Sequence, residues 1–167
     1  PDMYPKNLLT GLVAFESRLH WRCHFMQKLE SEPAIEYRNL HSKFNGFRDE
    51  AYGDSVYENR LSHWKNGTTG WPLVDACMQE LNTTGYINQI ARQLVATYLV
   101  KELGLNWVLG AAYFEEQLID YCPASNWGNW AAVAGVGNDQ KLSNSFDFEK
   151  LLKFLDPKGT FAQVVRA

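Results

Sequence analysis

Asp120, Asn126, Trp127, Asn129 and Trp130 crowd into one stretch, LIDYCPASNWGNWAAVAGVGND, from Leu118 to Asp139. Small residues separate and follow them: Ser125, Gly128, Gly135 and Gly137. A carboxylate, two amides and two indoles are groups that hydrogen-bond to and stack on a flat polar ligand. The glycines let backbone come close to it. Asn and Gly are poor helix formers, so the stretch is a wasteful composition for an ordinary amphipathic helix. It is expected to form a ligand wall.

Two other clusters carry less. His20 and His24 lie four residues apart and could offer two nitrogens to a metal given a third ligand. No Glu stands between them as in a zinc-protease helix, and Cys23 points elsewhere, so no metal is expected. The run KNGTTGW, Lys65 to Trp71, has glycines without the G-x-x-x-x-G-K spacing of a phosphate-cradling loop.

The elements that must position these groups read as helices. Leu12, Phe15, Leu19, Cys23, Met26 and Leu29 form a helical stripe, ended before Pro33. Ala34 to Tyr52 reads as irregular, with Asn45-Gly46 as a turn. Ser55 with Glu58 has capping-box spacing and opens a short helix reaching Trp64. After the KNGTTGW loop, Pro72 opens a helix with the stripe Val74, Cys77, Met78 and Leu81, stopped by Gly85. Asn88 to Lys101 is the strongest helix, with Ile90, Ala91, Leu94, Val95, Tyr98 and Leu99 on one face. Gly104 ends it. Ala111 to Ile119 follows, with Phe114 and Leu118 inward. Phe148, Leu151, Leu152 and Leu155 mark a last helix before Pro157. With no convincing strand, repeat or low-complexity tract, the fold class is all-α: an irregular multi-helix domain with functional loops.

A chain of 167 residues suffices for one domain with one core. Its longest apolar run is too short to span a bilayer. Three cysteines, Cys23, Cys77 and Cys122, lie far apart without a C-x-x-C pair. That speaks against a disulfide framework or zinc site and makes a reducing intracellular compartment the default. A net charge of −3 argues against a strong autonomous nucleic-acid binder, though a local basic patch stays open. The sequence starts at Pro1, with neither an initiating Met nor a signal peptide. It is expected to be a processed product or a fragment, which leaves its cellular address unread.

The segment WKNGTTGWPLVDACMQELNTTGYINQIARQLVATYLVKELGLNW, followed by YFEEQLIDYCPASNWGNWAAVAGVGND, resembles the FAD-binding helical domain of the DNA photolyase/cryptochrome family. Its S-N-x-G-N-W and A-G-V-G-N-D tail looks most like the DASH branch. Upstream, FESRLHWRCHFMQKLESEPAIE is similar to the helix that opens this half of the domain in some photolyase-related flavoproteins. Residues 10–161 carry the resemblance. It implies a single truncated helical domain over residues 1–167, without the family's α/β antenna domain. The earlier helical segment that holds the flavin phosphates would also be lacking, and with it their charge-assisted hydrogen bonds.

The resemblance implies FAD as cofactor and gives individual residues roles. Asn126 would face the flavin N5 edge as an uncharged hydrogen-bonding amide. The alternative is an Asn capping a helix that starts at Trp127. Arg92 would lie over the isoalloxazine, paired with Asp120, its cation favouring an anionic reduced flavin. The alternative is a salt bridge that ties two helices together. Arg22, Gln89 and Asn129 complete the cofactor set. Trp130 and Trp107 would be the inner two members of an electron-transfer chain, or else core residues. The outermost position falls near Asp54, where Tyr52 or Tyr57 could substitute. Trp21 would stack on a pyrimidine lesion, or pack against its helix neighbours. Arg18, Gln89, Ile90, Cys122 and Ala132 depart from the repair pattern. Lost hydrogen bonds in a desolvated pocket cost about 1–3 kcal/mol each, so dimer repair is not expected.

Three functions are compatible with these residues. One is a cryptochrome-like flavin module with light-driven electron transfer through Trp107 and Trp130, completed by a partner chain. Another is a fragment of a cyclobutane-dimer photolyase, with weakly supported DNA binding. The last is a flavin-free scaffold subunit of a larger assembly, its exposed faces covered by other subunits.

Overall fold

Seven α-helices are found among the described residues of this computed structural model, which are 6–36, 39, 44, 54–137 and 147–158. The expected turn at Asn45-Gly46, and Tyr52 and Asp139, lie outside them. The helices are α1 (Lys6–Ser31), α2 (Ser55–Asn66), α3 (Pro72–Thr84), α4 (Gln89–Thr97), α5 (Trp107–Gln117), α6 (Pro123–Ala134) and α7 (Phe148–Leu155). A short 3-10 turn, Pro33–Glu36, follows α1, and a π-helical turn, Tyr98–Glu102, follows α4.

Local chemistry sets most of the boundaries. Asp54, one residue before the expected Ser55, caps α2 by accepting from the Val56 N–H at 3.0 Å. Both residues can cap, but a carboxylate also favours the positive helix N-terminus. The helix then runs past Trp64 to Asn66 and closes on Gly67, whose φ of +62° suits a residue without a side chain. Pro72 occupies the first turn of α3, as its ring allows. Asn88 caps α4 by accepting from the Ile90 and Ala91 N–H groups, both at 3.0 Å.

The helix expected to run unbroken to Lys101 instead changes winding after Thr97. The Leu103 N–H donates to the Tyr98 carbonyl at 3.0 Å, five residues back. The buried Thr97 hydroxyl at this junction has no hydrogen-bond partner among the described residues. The next helix starts at Trp107, four residues before the expected Ala111, because Asn106 caps it through the Val108 N–H at 3.0 Å.

The core lies where α2, α3, α4, α5 and α6 meet. Trp64, Val74, Met78, Leu81, Leu94, Val95 and Leu99 are wholly buried there. Ile90, expected on the same face, is only partly buried. A buried Leu or Val contributes about 1.5–3 kcal/mol. The stripe on α1 behaves differently. Leu12, Phe15, Leu19, Cys23 and Met26 are exposed, while Phe25 and Leu29 are partly buried. Helix α1 packs on α6, and Phe25 sits against Gly128, where a Cβ would overlap its ring.

The Leu118–Asp139 stretch is the largest departure from expectation. Its middle is a regular helix, α6, and it is buried on several sides. Gly128 admits Phe25 on one side, and Ala124 and Ala131 are buried as well. The small residues that weaken helix propensity allow close packing, and tertiary burial outweighs propensity.

Candidate functional site

Helix α4, the turn before α6 and α6 itself enclose a cleft of about 250 Å³. Six of the nine expected site residues line it: Gln89, Arg92, Asp120, Asn126, Asn129 and Trp130. Phe114, Leu118 and Val133 add apolar wall, so polar groups and an apolar floor share one space. Gln93, not singled out from sequence, also lines it. It follows Arg92 and lies one turn on from Gln89, so helical spacing alone places it near that face.

Arg92 is fixed at both ends of its guanidinium. Its Nε donates to the Ile87 carbonyl at 2.8 Å. Its Nη2 donates to both carboxylate oxygens of Asp120, each at 2.9 Å. The Tyr86 ring lies 5.3 Å from the guanidinium carbon, within cation–π range. Asp120 is 46% exposed, so this pair orients Arg92 more than it stabilises the fold. The pair ties α4 to the turn before α6 rather than to a second helix, and both residues line the cleft.

Asn126 is inside α6. The helix begins at Pro123, and the Asn126 N–H already donates to the Cys122 carbonyl at 2.9 Å. This corrects the alternative of a cap for a helix starting at Trp127. The buried side chain donates through Nδ2 to the Ala111 carbonyl of α5 at 2.9 Å. The amide is thereby held rigidly beside the cleft. Asn129 donates to the Ser125 carbonyl at 2.7 Å and accepts from Gln89 Nε2 at 3.3 Å. That amide pair links α6 to α4.

Trp130 is 3% exposed and forms part of the cleft wall. Its six-membered ring lies on Gly110 of α5, where any Cβ would overlap it. Phe114 and Trp64 pack on it with centroids 5.1 and 6.1 Å away. Trp107, one turn before Gly110, contacts Trp127 at 5.8 Å and donates its indole N–H to Asn39 Oδ1 at 2.8 Å. Tyr57, suggested near the outer end of the chain of aromatics, is buried, and its hydroxyl accepts from the Asn106 N–H at 3.0 Å. Gly110 and Trp64 were not singled out as site residues, and Gly128, read as a close-approach glycine for a ligand, instead admits Phe25. Their partners lie far along the sequence, and residue type alone does not reveal such contacts.

Three residues lie apart from the cleft lining. Trp107 is buried and is not part of the lining. Trp21 and Arg22 are exposed on α1, with Trp21 against His24 and Phe25, each at 5.7 Å between centroids. Among the positions that depart from the repair pattern, Cys122 lines the cleft, Arg18 is exposed, and Ile90 and Ala132 are half-buried.

Comparison with known proteins agrees with this arrangement. The model of the family described as the FAD binding domain of DNA photolyase matches residues 15–164. A Cryptochrome DASH of Vibrio parahaemolyticus is 50% identical over 127 residues, covering 76% of this chain and 28% of the relative. The Synechocystis sp. PCC6803 cryptochrome structure superposes with a TM-score of 0.73 at 35% identity, over 97% of this chain and 32% of that one. An archaeal photolyase from Sulfolobus tokodaii, crystallised with two FAD molecules, gives a TM-score of 0.71 at 35% identity, over 89% of this chain and 33% of that one. This chain thus spans about a third or less of the length of these relatives. With the helical fold, the cleft and the matched segment in agreement, the chain belongs to the FAD-binding domain family of DNA photolyases and cryptochromes.

Proposed function

We propose that this chain holds the isoalloxazine part of FAD in the cleft and feeds it electrons from Trp130 under light, without repairing pyrimidine dimers. The observation that carries the reading is one shared wall. Buried, oxidisable Trp130 lines the same cleft as the anchored Arg92 cation and the Asn126 amide.

The residues present suit a flat, polar-edged ring system. A cleft of about 250 Å³ falls just under the range of about 300–1,000 Å³ typical of small-molecule sites. It therefore suits the ring part of a dinucleotide, with its phosphates held by groups elsewhere in a longer chain or a partner chain. When bound, the isoalloxazine supplies light absorption and one-electron chemistry. Arg92 supplies a fixed positive charge, held in place by Ile87 and Asp120. Asn126, Asn129 and Gln89 supply uncharged hydrogen-bonding groups, so ring orientation is set without added charge. Trp130 is the indole at the cleft, and Trp107 serves as a further donor.

Two features support the absence of repair. Ala132 offers no second aromatic face on α6 for a lesion, and Arg18 places a cation one turn before Trp21. The test is illumination of the FAD-reconstituted chain in the presence of a dimer-containing oligonucleotide. Flavin photoreduction without loss of dimers is the expected result. Dimer loss would overturn the non-repair part, and bound FAD that is not photoreduced would overturn the electron-transfer part.

A further inference from the structure

We infer that Trp64 and Tyr113 form a second electron route to Trp130, separate from Trp107, which ends in a buried, proton-releasing tyrosine hydrogen-bonded to the exposed Asn82. The inference rests on the reading of Trp130 as the electron donor at the cleft.

The route is a continuous series of ring contacts. Among the described residues, the rings packed on Trp130 are Phe114 and Trp64, at 5.1 and 6.1 Å. Phe114 is also stacked on Trp64, with centroids 6.3 Å apart and planes 16° from parallel. Trp64 in turn meets Tyr113 at 5.7 Å. Electron tunnelling decays steeply with separation, so rings in contact exchange electrons faster than rings a further shell away. Trp107 instead has its ring contact with Trp127.

The direction of travel follows from what each ring can do with its proton. Trp64 is wholly buried, and its indole N–H donates to the Val95 carbonyl at 3.0 Å. An oxidised Trp64 has no path to lose that proton to water. Tyr113 does. Its hydroxyl donates to Asn82 Oδ1 at 2.6 Å, and Asn82 is exposed on α3. The Lys65 ammonium lies 4.9 Å from the Tyr113 ring centre. A cationic tyrosine is disfavoured beside it, which drives loss of the phenolic proton. Burial, with Glu116 nearby, holds the phenol above its ordinary pKa, so it starts protonated.

The step balances with one electron and one proton. Trp130 would give up one electron, for which a bound, light-excited oxidised isoalloxazine would supply the oxidising power. Trp64 replaces that electron, and Tyr113 replaces the one from Trp64. The Tyr113 O–H bond breaks, its proton leaves past Asn82 to water, and a neutral tyrosyl radical remains. With no external reductant, the electron and proton return by the reverse path.

The experiment is low-temperature electron paramagnetic resonance of the illuminated, FAD-loaded chain, with wild type compared against Trp107→Phe, Tyr113→Phe and Trp64→Phe. Ring-deuterated tyrosine identifies a tyrosyl signal by its narrowing. The expected result is a tyrosyl signal in wild type that survives in Trp107→Phe. It should fall at least tenfold in Tyr113→Phe, which leaves an indole radical, and in Trp64→Phe. Circular dichroism checks that each variant is folded, and Tyr113→Phe keeps the ring in case Trp64→Phe fails to fold. A tyrosyl signal unchanged in Tyr113→Phe, or an indole radical alone in wild type, overturns the inference while leaving Trp130 as donor. If bound flavin yields no protein radical at all, the reading of Trp130 fails with it.

Discussion

Arg92 reaches Asp120 through a single nitrogen, Nη2, which lies 2.9 Å from both carboxylate oxygens, while its Nε is held by the Ile87 carbonyl. Two anchors on one guanidinium leave it little freedom to turn. Lysine cannot copy this geometry, because an ammonium lacks the planar fork. Arg92→Lys is therefore expected to weaken FAD binding about tenfold, or about 1.4 kcal/mol, by flavin fluorescence titration. Asp120→Asn should cost the fold only about 0.5–1 kcal/mol, because the carboxylate is half exposed.

Gly110 is where α5 admits the Trp130 ring. Gly110→Ala forces the indole or the helix to move, an overpacking cost of about 1–3 kcal/mol. Urea denaturation should show that loss. The double variant Gly110→Ala with Trp130→Phe should recover part of it, since the two sites are in contact. Strict additivity of the two changes would contradict the packing described.

Thr97 carries the opposite expectation. Its hydroxyl is buried without a partner among the described residues, beside the π-helical turn. Thr97→Val keeps the shape and removes the unsatisfied group. A gain of about 1 kcal/mol in unfolding free energy is expected. A loss of similar size would mean that the hydroxyl is hydrogen-bonded in solution.

Much of the fold was legible where a local signal decides the outcome. Pro72 opened α3, Gly85 closed it, and α7 begins and ends at Phe148 and Leu155 as its stripe implied. The signal failed where tertiary packing decides. The π-helical turn after Thr97 leaves the apolar periodicity of α4 nearly intact, so the spacing did not reveal it. The propensities of Asn126, Gly128 and Asn129 argued against a helix, yet burial makes α6 one. The α1 stripe has the period of a buried face, but periodicity does not say what covers it. Six cleft residues were recognisable from motif and type. Trp64 was not, because its partners Val95, Tyr113, Phe114 and Trp130 are distant in sequence.

Cys77 gives a pH dependence. Burial, with Glu80 nearby, pushes its thiol from 9.0 up to about 12. A raised acid pKa means that the folded state keeps a proton the unfolded state has lost. This contribution is complete below pH 9 and is lost as pH rises toward 12. The Tyr121 phenol, raised from 10.0 to about 12 chiefly by burial, acts in the same direction at the upper end of that window. Unfolding free energy should therefore fall between pH 9 and 12, with a shallower fall in Cys77→Ala. At neutral pH, Cys23 should react with an alkylating reagent while buried Cys77 does not. Equal labelling of the two in the folded chain would contradict the burial of Cys77.

The most direct test concerns Trp130 and the flavin it is proposed to serve. FAD-loaded wild type and Trp130→Phe, matched for bound flavin, are illuminated without oxygen while the oxidised flavin absorption is followed. In wild type the band should bleach. In Trp130→Phe, which keeps an aromatic ring at this position, bleaching should slow at least tenfold, corresponding to about 1.4 kcal/mol or more in barrier. Equal bleaching rates in the two proteins would contradict the assignment of Trp130 as the donor.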